Sequence, residues 1–313
     1  EVFQHEIPAT VDTLFYRASL DTVPCGQDQW TYKVPRMHHA VSLPVIPCAT
    51  DQDFRFSWIS DTQEFPEKAR MTVERMAKFD SRFLVHSGDH VQTGDKYSEW
   101  LSYAWAMEPV ASTWVSIPAI GNHEYRYDSD VKMWRWMFGA DARESHYWVD
   151  AGPVRFFVLN TCFADDPSLI ERELTWLKSA LALPAAGPDP LWKVIVTHHP
   201  PFSQGFAHAP WAIKKEHLVL QEKFLPVFEE FRVQLVLSGH THLFERAEFH
   251  GIDYMVAGAA GGKMGMFGGF DDPRVLFSKM VRTVSEFVFS SESVASFTVD
   301  PDGNHLETWA RKR

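Results

Sequence analysis

Cysteine is scarce in this chain: three in 313 residues, at positions 25, 48 and 162. That number excludes a fold stapled together by several disulfides. One bridge is still open to it, since Cys25 and Cys48 could close a loop in an exported protein, worth about 3 kcal/mol in the chain-entropy account. Cys162 follows an apolar strand and reads as a buried free thiol. Positive charge is also short, 30 Lys and Arg against 41 Asp and Glu for a net of −11, so the surface repels nucleic-acid polymers and anionic lipid. No apolar run is long enough to span a membrane, and there is no low-complexity tract or short repeat. Asn-x-Ser/Thr is missing, which argues against a glycoprotein. The chain opens on Glu rather than Met and shows no signal peptide, which reads as processing or trimming, and export to the periplasm or medium is the expected location.

What is present fits an ordinary globule. Hydrophobic residues make up 45% and charged ones 23%. Twelve Trp are many for this length, and six of them fall between Trp100 and Trp148, where they read as packing and rim aromatics of segments flanking a site. Residues 1–50 differ from the rest. Short β-like pieces (Thr13 to Ala18, Trp30 to Val34) alternate with prolines and lack helical spacing, so this stretch is expected to be a β-rich arm ahead of a domain over 51–313. From Phe54 onward strands alternate with helical patterns at Glu67 to Phe79, Glu171 to Ala182 and Glu216 to Phe231, the signature of βαβ units under a mostly parallel sheet. Beyond Tyr254 to Ala257 a glycine-crowded stretch (258–269) follows without the Lys-Ser/Thr of a P-loop and reads as a flexible rim loop. Phe287 to Phe289, Ala295 to Val299 and Leu306 to Trp309 then suggest a closing antiparallel meander.

Five apolar strands each end on a metal-competent side chain. Phe54 to Ile59 leads to Asp61, Phe83 to Val85 to Asp89, and Val115 to Ile120 to Asn122 and His123; Val194 to Thr197 leads to His198, and Leu235 to Leu237 to His240 and His242. The carboxyl ends of strands are where α/β sheets build sites, because the sheet fixes the ligands and the loops leave room for substrate. The set reads as a two-metal hydrolase centre. Asp89 has two oxygens and can bridge two cations. Asp61 and His242 then serve one cation, and Asn122, His198 and His240 the other. His123 follows a ligand directly and is expected to protonate the leaving alkoxide while a metal-bound hydroxide attacks phosphorus, or else to hydrogen-bond a phosphate oxygen. His199 and Arg126 are candidates to hold the substrate phosphate. His90 is a candidate pocket wall, and Arg246 with Glu245 a structural ion pair. With an acidic surface, the expected partner is a small-molecule phosphate ester rather than a polyanion.

The ordered motifs Asp61-x-Gln63, Gly88-Asp89, Gly121-Asn122-His123-Glu124, His198-His199-Pro200 and Gly239-His240-Thr241-His242 resemble the calcineurin-like metallophosphoesterase superfamily, over roughly residues 54–310. The run from Gly239 through Leu243, Phe244 and Glu245 to Arg246 looks most like its purple acid phosphatase branch. The resemblance implies a four-layer α/β/β/α sandwich, two divalent or mixed-valence cations (Fe, Zn or Mn), and hydrolysis of phosphomonoesters or phosphodiesters. It also implies that residues 1–50 are an arm or the remnant of a fibronectin-like domain. Two positions depart from the pattern. Gln63 stands where most of the superfamily has His, as a ligand through its amide oxygen or withdrawn from the metal, and Gln92 stands where the branch has a metal-binding Tyr, so no purple colour is expected. These departures favour the alternative of a binding or scaffold protein that kept the fold while its first metal position decayed.

Overall fold

The computed structural model of the chain describes residues 30–33, 40–43, 53–138, 145–162, 165–184 and 192–313. Within the N-terminal stretch, β1 (Trp30–Lys33) and β2 (Ala40–Leu43) pair antiparallel with Trp30 opposite Leu43. Thr13 to Ala18, Cys25 and Cys48 lie outside the described residues. The chain then runs β3 (Phe54–Ile59), α1 (Pro66–Met76), β4 (Phe83–His86), α2 (Tyr97–Ala111), β5 (Val115–Pro118), α3 (Lys132–Phe138), β6 (Tyr147–Ala151), β7 (Val154–Val158) and α4 (Pro167–Leu181). It continues through β8 (Trp192–Val196), α5 (Lys215–Val219), α6 (Leu225–Glu230), β9 (Leu235–Ser238), β10 (Phe244–Phe249), β11 (Ile252–Val256), β12 (Val275–Lys279), β13 (Val284–Phe289), β14 (Ser293–Val299) and β15 (His305–Lys312).

Two mixed sheets result, one ordered β15-β14-β13-β3-β4-β5 and the other β12-β10-β11-β9-β8-β7-β6. Pairing is parallel for β3 with β4, β4 with β5, β7 with β8, and β8 with β9; β5 is the edge of its sheet, and the other site-bearing strands, β3, β4, β8 and β9, are central. They are short, aromatic or β-branched, and buried on both faces, as strands covered on either side must be. The sheets meet face to face through Phe56, Trp58 and Phe287 on one side and Phe156, Val194 and Leu237 on the other. Phe56 stands edge-on to Phe156 at 5.1 Å and stacks on Phe287 at 4.9 Å.

Helices cover both outer faces. Val73 of α1, Trp100 and Met107 of α2 and Trp134 of α3 pack on Ile59 and Leu84. Leu174, Leu177 and Leu181 of α4 and Phe228 of α6 pack on Phe157, Ile195 and Val236. The architecture is the four-layer α/β/β/α sandwich. Helix α4 begins four residues before the apolar spacing does, because Asp166 caps the Ser168 and Leu169 amides at 2.9 and 3.3 Å and Pro167 starts the first turn.

Three expectations need correction. The helix read over Glu216 to Phe231 is interrupted by a π-helical turn at Leu220–Phe224. Pro226 has no N–H for the Glu222 carbonyl and its ring crowds it, so the winding loosens just before it. Arg246 pairs with Glu307 at 2.8 Å rather than with Glu245, because neighbours on β10 point to opposite faces. His90 is no pocket wall. It is 1% exposed, stacked on His86 at 3.9 Å and surrounded by Trp100, Tyr103 and Phe138.

Candidate metal centre

All the candidate ligands lie just past the carboxyl ends of β3, β4, β5, β8 and β9, where the two sheets' loops meet. Four of them hold backbone conformations that side-chain-bearing residues seldom adopt: φ is +56° at Asp61, +57° at Asp89, +72° at His240 and +58° at His242. Each costs on the order of 1 kcal/mol and persists only where surroundings over-determine it. Here they do. Asp61 N–H donates to the Gly88 carbonyl at 3.0 Å and Thr62 N–H to the Asp89 carbonyl at 2.9 Å, lacing the first two loops together. Gly88, at φ +93°, lies so close that a Cβ would stand 2.8 Å from His198 Nδ1. A Cβ on Gly239 would overlap Ser60 Oγ and come within 2.5 Å of Asp61 Oδ2.

The result is two groups of converging polar side chains. In one, Asn122 Oδ1 lies 3.1 Å from His198 Nε2 and 3.0 Å from His240 Nδ1, the two imidazole nitrogens are 3.2 Å apart, and Asp89 Oδ2 is 3.3 Å from His198 Nε2. In the other, Asp61 Oδ1 is 3.1 Å from His242 Nε2, and the Gln63 amide nitrogen is 3.2 Å from both His242 Nε2 and Asp89 Oδ2. Neighbouring donors around one cation with bonds of about 2.1 Å stand roughly 3 to 3.5 Å apart, so these spacings suit a metal shell. His198 Nδ1 donates to the Ser87 carbonyl at 2.8 Å and His242 Nδ1 to the Lys263 carbonyl, which turns the opposite nitrogen of each ring inward. The residues present fit two cations that share Asp89.

Electrostatics tells the same story. Burial disfavours charge on His198, but the Asp89 carboxylate more than offsets it and raises the imidazole to about 9. Burial is likewise outweighed at His242 by Asp61, again to about 9. For Asp89 burial is outweighed by His198 and His123, which hold the carboxyl well below its usual range. Burial and the neighbouring imidazoles push His199 and His240 well down, leaving both rings neutral. The pocket thus concentrates lone pairs and attracts positive charge, whether a proton or a metal.

His123 stands at the edge of this centre. Its backbone N–H donates to Asp89 Oδ1 at 2.9 Å, its Nδ1 faces the Gln92 carbonyl at 3.0 Å, and its Nε2 lies 3.7 Å from Asp89 Oδ2. His199 is buried beside His198 and His240, with Nδ1 2.9 Å from Thr161 Oγ1. Arg126 is exposed, and its carbonyl accepts the Gly94 N–H at 3.1 Å. The glycine-rich stretch forms a rim as expected, but its inner half is tied down. Gly261 and Gly262 both donate to the Asp61 carbonyl at 2.9 Å, and Gly262 abuts the His242 ring.

Sequence reasoning missed Glu124. Only 1% exposed, it accepts backbone N–H groups from Gly121 at 2.7 Å, His90 at 2.7 Å, Asp89 at 3.0 Å and Val91 at 3.3 Å. Its place in Gly-Asn-His-Glu was the available signal. His208 and His217 were also missed. Both face the Pro200 carbonyl, at 3.0 and 2.9 Å, beneath the His198 loop.

A family model, calcineurin-like phosphoesterase, matches residues 54–244, a segment that contains every candidate ligand. The chain belongs to the calcineurin-like phosphoesterase family. Among its relatives is probable purple acid phosphatase 20 of Arabidopsis thaliana, 25% identical over 191 residues, covering 58% of this chain and 43% of that protein. The chain spans between 32% and 62% of the length of the curated purple acid phosphatases it matches. By fold it is similar to purple acid phosphatase PPD1 from yellow lupin seeds (TM-score 0.74, 16% identity, 87% of this chain, 56% of that one). It is also similar to GAP50, the anchor in the inner membrane complex of Plasmodium (TM-score 0.67, 16% identity, 82% of this chain, 88% of that one). Metal-dependent chemistry on phosphate esters is the family's general activity, and purple acid phosphatases are the branch this member resembles. Among the described residues, no helix is long and apolar enough to cross a membrane.

Proposed function

We propose that this protein hydrolyses small phosphate esters, mono- or diesters, at a binuclear centre. Asp61, Gln63, Asp89 and His242 would hold one cation and Asp89, Asn122, His198 and His240 the other. The observation that carries this reading is the position of Asp89 Oδ2, 3.3 Å from His198 Nε2 in one group and 3.2 Å from the Gln63 amide in the other. The mixed nitrogen and oxygen donors suit Fe, Zn or Mn. Two such cations, when bound, polarise the phosphoryl oxygens and acidify an attacking water.

The chain's own groups supply the rest. Asn122 and the buried imidazoles fix the phosphoryl group at the junction of the loops and exclude water from its inner side. His123 keeps a proton on Nδ1 through the Gln92 carbonyl, so Nε2 is the nitrogen that carries a proton toward the leaving oxygen. His199, through Nε2, and Arg126 are assigned to the substrate phosphate. Export and a Cys25–Cys48 bridge belong to the same proposal.

A second reading, a scaffold with an impaired first position, is favoured by the Gln63 amide nitrogen lying among acceptors where a ligand is needed. Elemental analysis combined with turnover of an aryl phosphate separates the two. Two equivalents of metal and turnover abolished by chelation are expected. Zero or one equivalent with no turnover would leave the scaffold.

A further inference from the structure

The two groups differ in what their amide side chain presents. Asn122 presents its oxygen, 3.0 and 3.1 Å from the inward imidazole nitrogens of His240 and His198. Gln63 presents its nitrogen, 3.2 Å from Asp89 Oδ2 and from His242 Nε2, while its Oε1 is buried with no hydrogen-bond partner. The side chain is 3% exposed, so bulk solvent does not reach that oxygen.

A primary amide is nearly symmetric in shape but carries donors on one side and an acceptor on the other. Its last torsion is a soft sp³–sp² rotation with two favoured settings about half a turn apart. In either setting one polar atom faces Asp89 and His242 and the other lies in the unpartnered position. The outer position gives the oxygen no donor, and the choice between the settings falls to the inner side. Without a cation the Asp89 carboxylate, 3.2 Å away, takes the amide's N–H₂ as its donor, and N–H₂ inward wins. With a cation among them the N–H₂ is repelled, and the carbonyl oxygen inward wins.

Building on the two-cation reading, we propose that Gln63 is the residue that sets metal specificity at the Asp61–Asp89–His242 position, and that it acts by this half-turn of its amide. Loading that position breaks the amide's bond to Asp89 and gains a neutral oxygen donor. The position is consequently the weaker and more exchangeable of the two, and its advantage for Zn²⁺ over harder divalent cations such as Mn²⁺ is narrower than an imidazole would give. The Asn122–His198–His240 position, whose oxygen already faces inward, fills first.

The test uses the full chain stripped by chelation, titrated with Mn²⁺ or Zn²⁺ while calorimetry follows affinity, and with diamagnetic Zn²⁺ while nitrogen-15 NMR follows the Gln63 side-chain N–H₂. One tight equivalent and a second that is roughly 10- to 100-fold weaker are expected. The Gln63 resonances move only with the second. Gln63→His should tighten the second Zn²⁺ at least about tenfold and leave the first unchanged. Two equivalents of equal affinity, Gln63 resonances unmoved by the second, or no gain in Gln63→His would each overturn the half-turn while leaving a binuclear centre standing. Should that variant fail to fold, the wild-type resonances decide alone. No metal bound at all would instead overturn the two-cation reading and this inference with it.

Discussion

Glu124 Oε2 accepts the backbone N–H of Asp89 at 3.0 Å although the two residues stand on loops after different strands. The same oxygen takes Gly121 N–H at 2.7 Å, and its partner oxygen takes His90 and Val91. One buried carboxylate thus holds the β4 and β5 loops in register, and with them Asp89 and Asn122.

Glu124→Ala removes the acceptor for four amides at once. Each buried donor left unmade costs about 1 to 3 kcal/mol, and relaxation recovers part of that, so a loss of about 3 kcal/mol or more in unfolding free energy is expected. Glu124→Gln keeps one acceptor oxygen but turns an N–H₂ on backbone donors, and it should lose about half as much. Denaturant midpoints at unchanged m-value measure both. Wild-type stability in Glu124→Ala would show that the loops are held by something else.

His123→Ala tests the proton donor. Turnover of an ester with a poor leaving group should fall by about 10²- to 10⁴-fold, while an aryl ester with a good leaving group should lose far less. Metal content should stay at the wild-type level, because His123 touches Asp89 through its backbone N–H and that bond survives the substitution. An equal loss on both esters together with a raised KM would assign His123 to a phosphate oxygen instead.

The legible parts of this molecule were those written as local pattern. Short apolar runs of the β3, β8 and β9 kind announced strands, and a polar group closing each run announced the site, because a sheet puts strand ends in one plane. What stayed hidden depends on groups with no side-chain signature. The carbonyls of Ser87, Gln92 and Lys263 aim three of the imidazoles, and any residue type carries a carbonyl. Helix α2 escaped because Trp100, Tyr103 and Trp105 blur its polar and apolar faces and Pro109 sits inside it. The Arg246 partner escaped because Glu307 is 61 residues away on β15.

Removal of metal should make stability depend on pH through His198 and His242. Both are raised from 6.5 in the unfolded chain to about 9 in the cation-free fold, His198 by Asp89 and His242 by Asp61, against burial. A raised folded value means that the fold binds the proton more tightly. The stabilisation is complete below 6.5 and fades as pH climbs through 9, by up to roughly 3 kcal/mol for each imidazole. His199 and His240 act in the opposite sense. Burial depresses them, so the unfolded chain takes up protons first and stability falls as pH drops below 6.5. The chelated protein should therefore be most stable near pH 6.5 and lose stability on both sides. Metal competes with the protons on His198 and His242, so in the loaded protein the alkaline decline should vanish and metal affinity should rise between pH 6.5 and 9. Thermal unfolding across pH 5 to 10, with and without chelator, reads both curves. An alkaline limb that is the same in the two would show that these imidazoles do not exchange a proton for a metal.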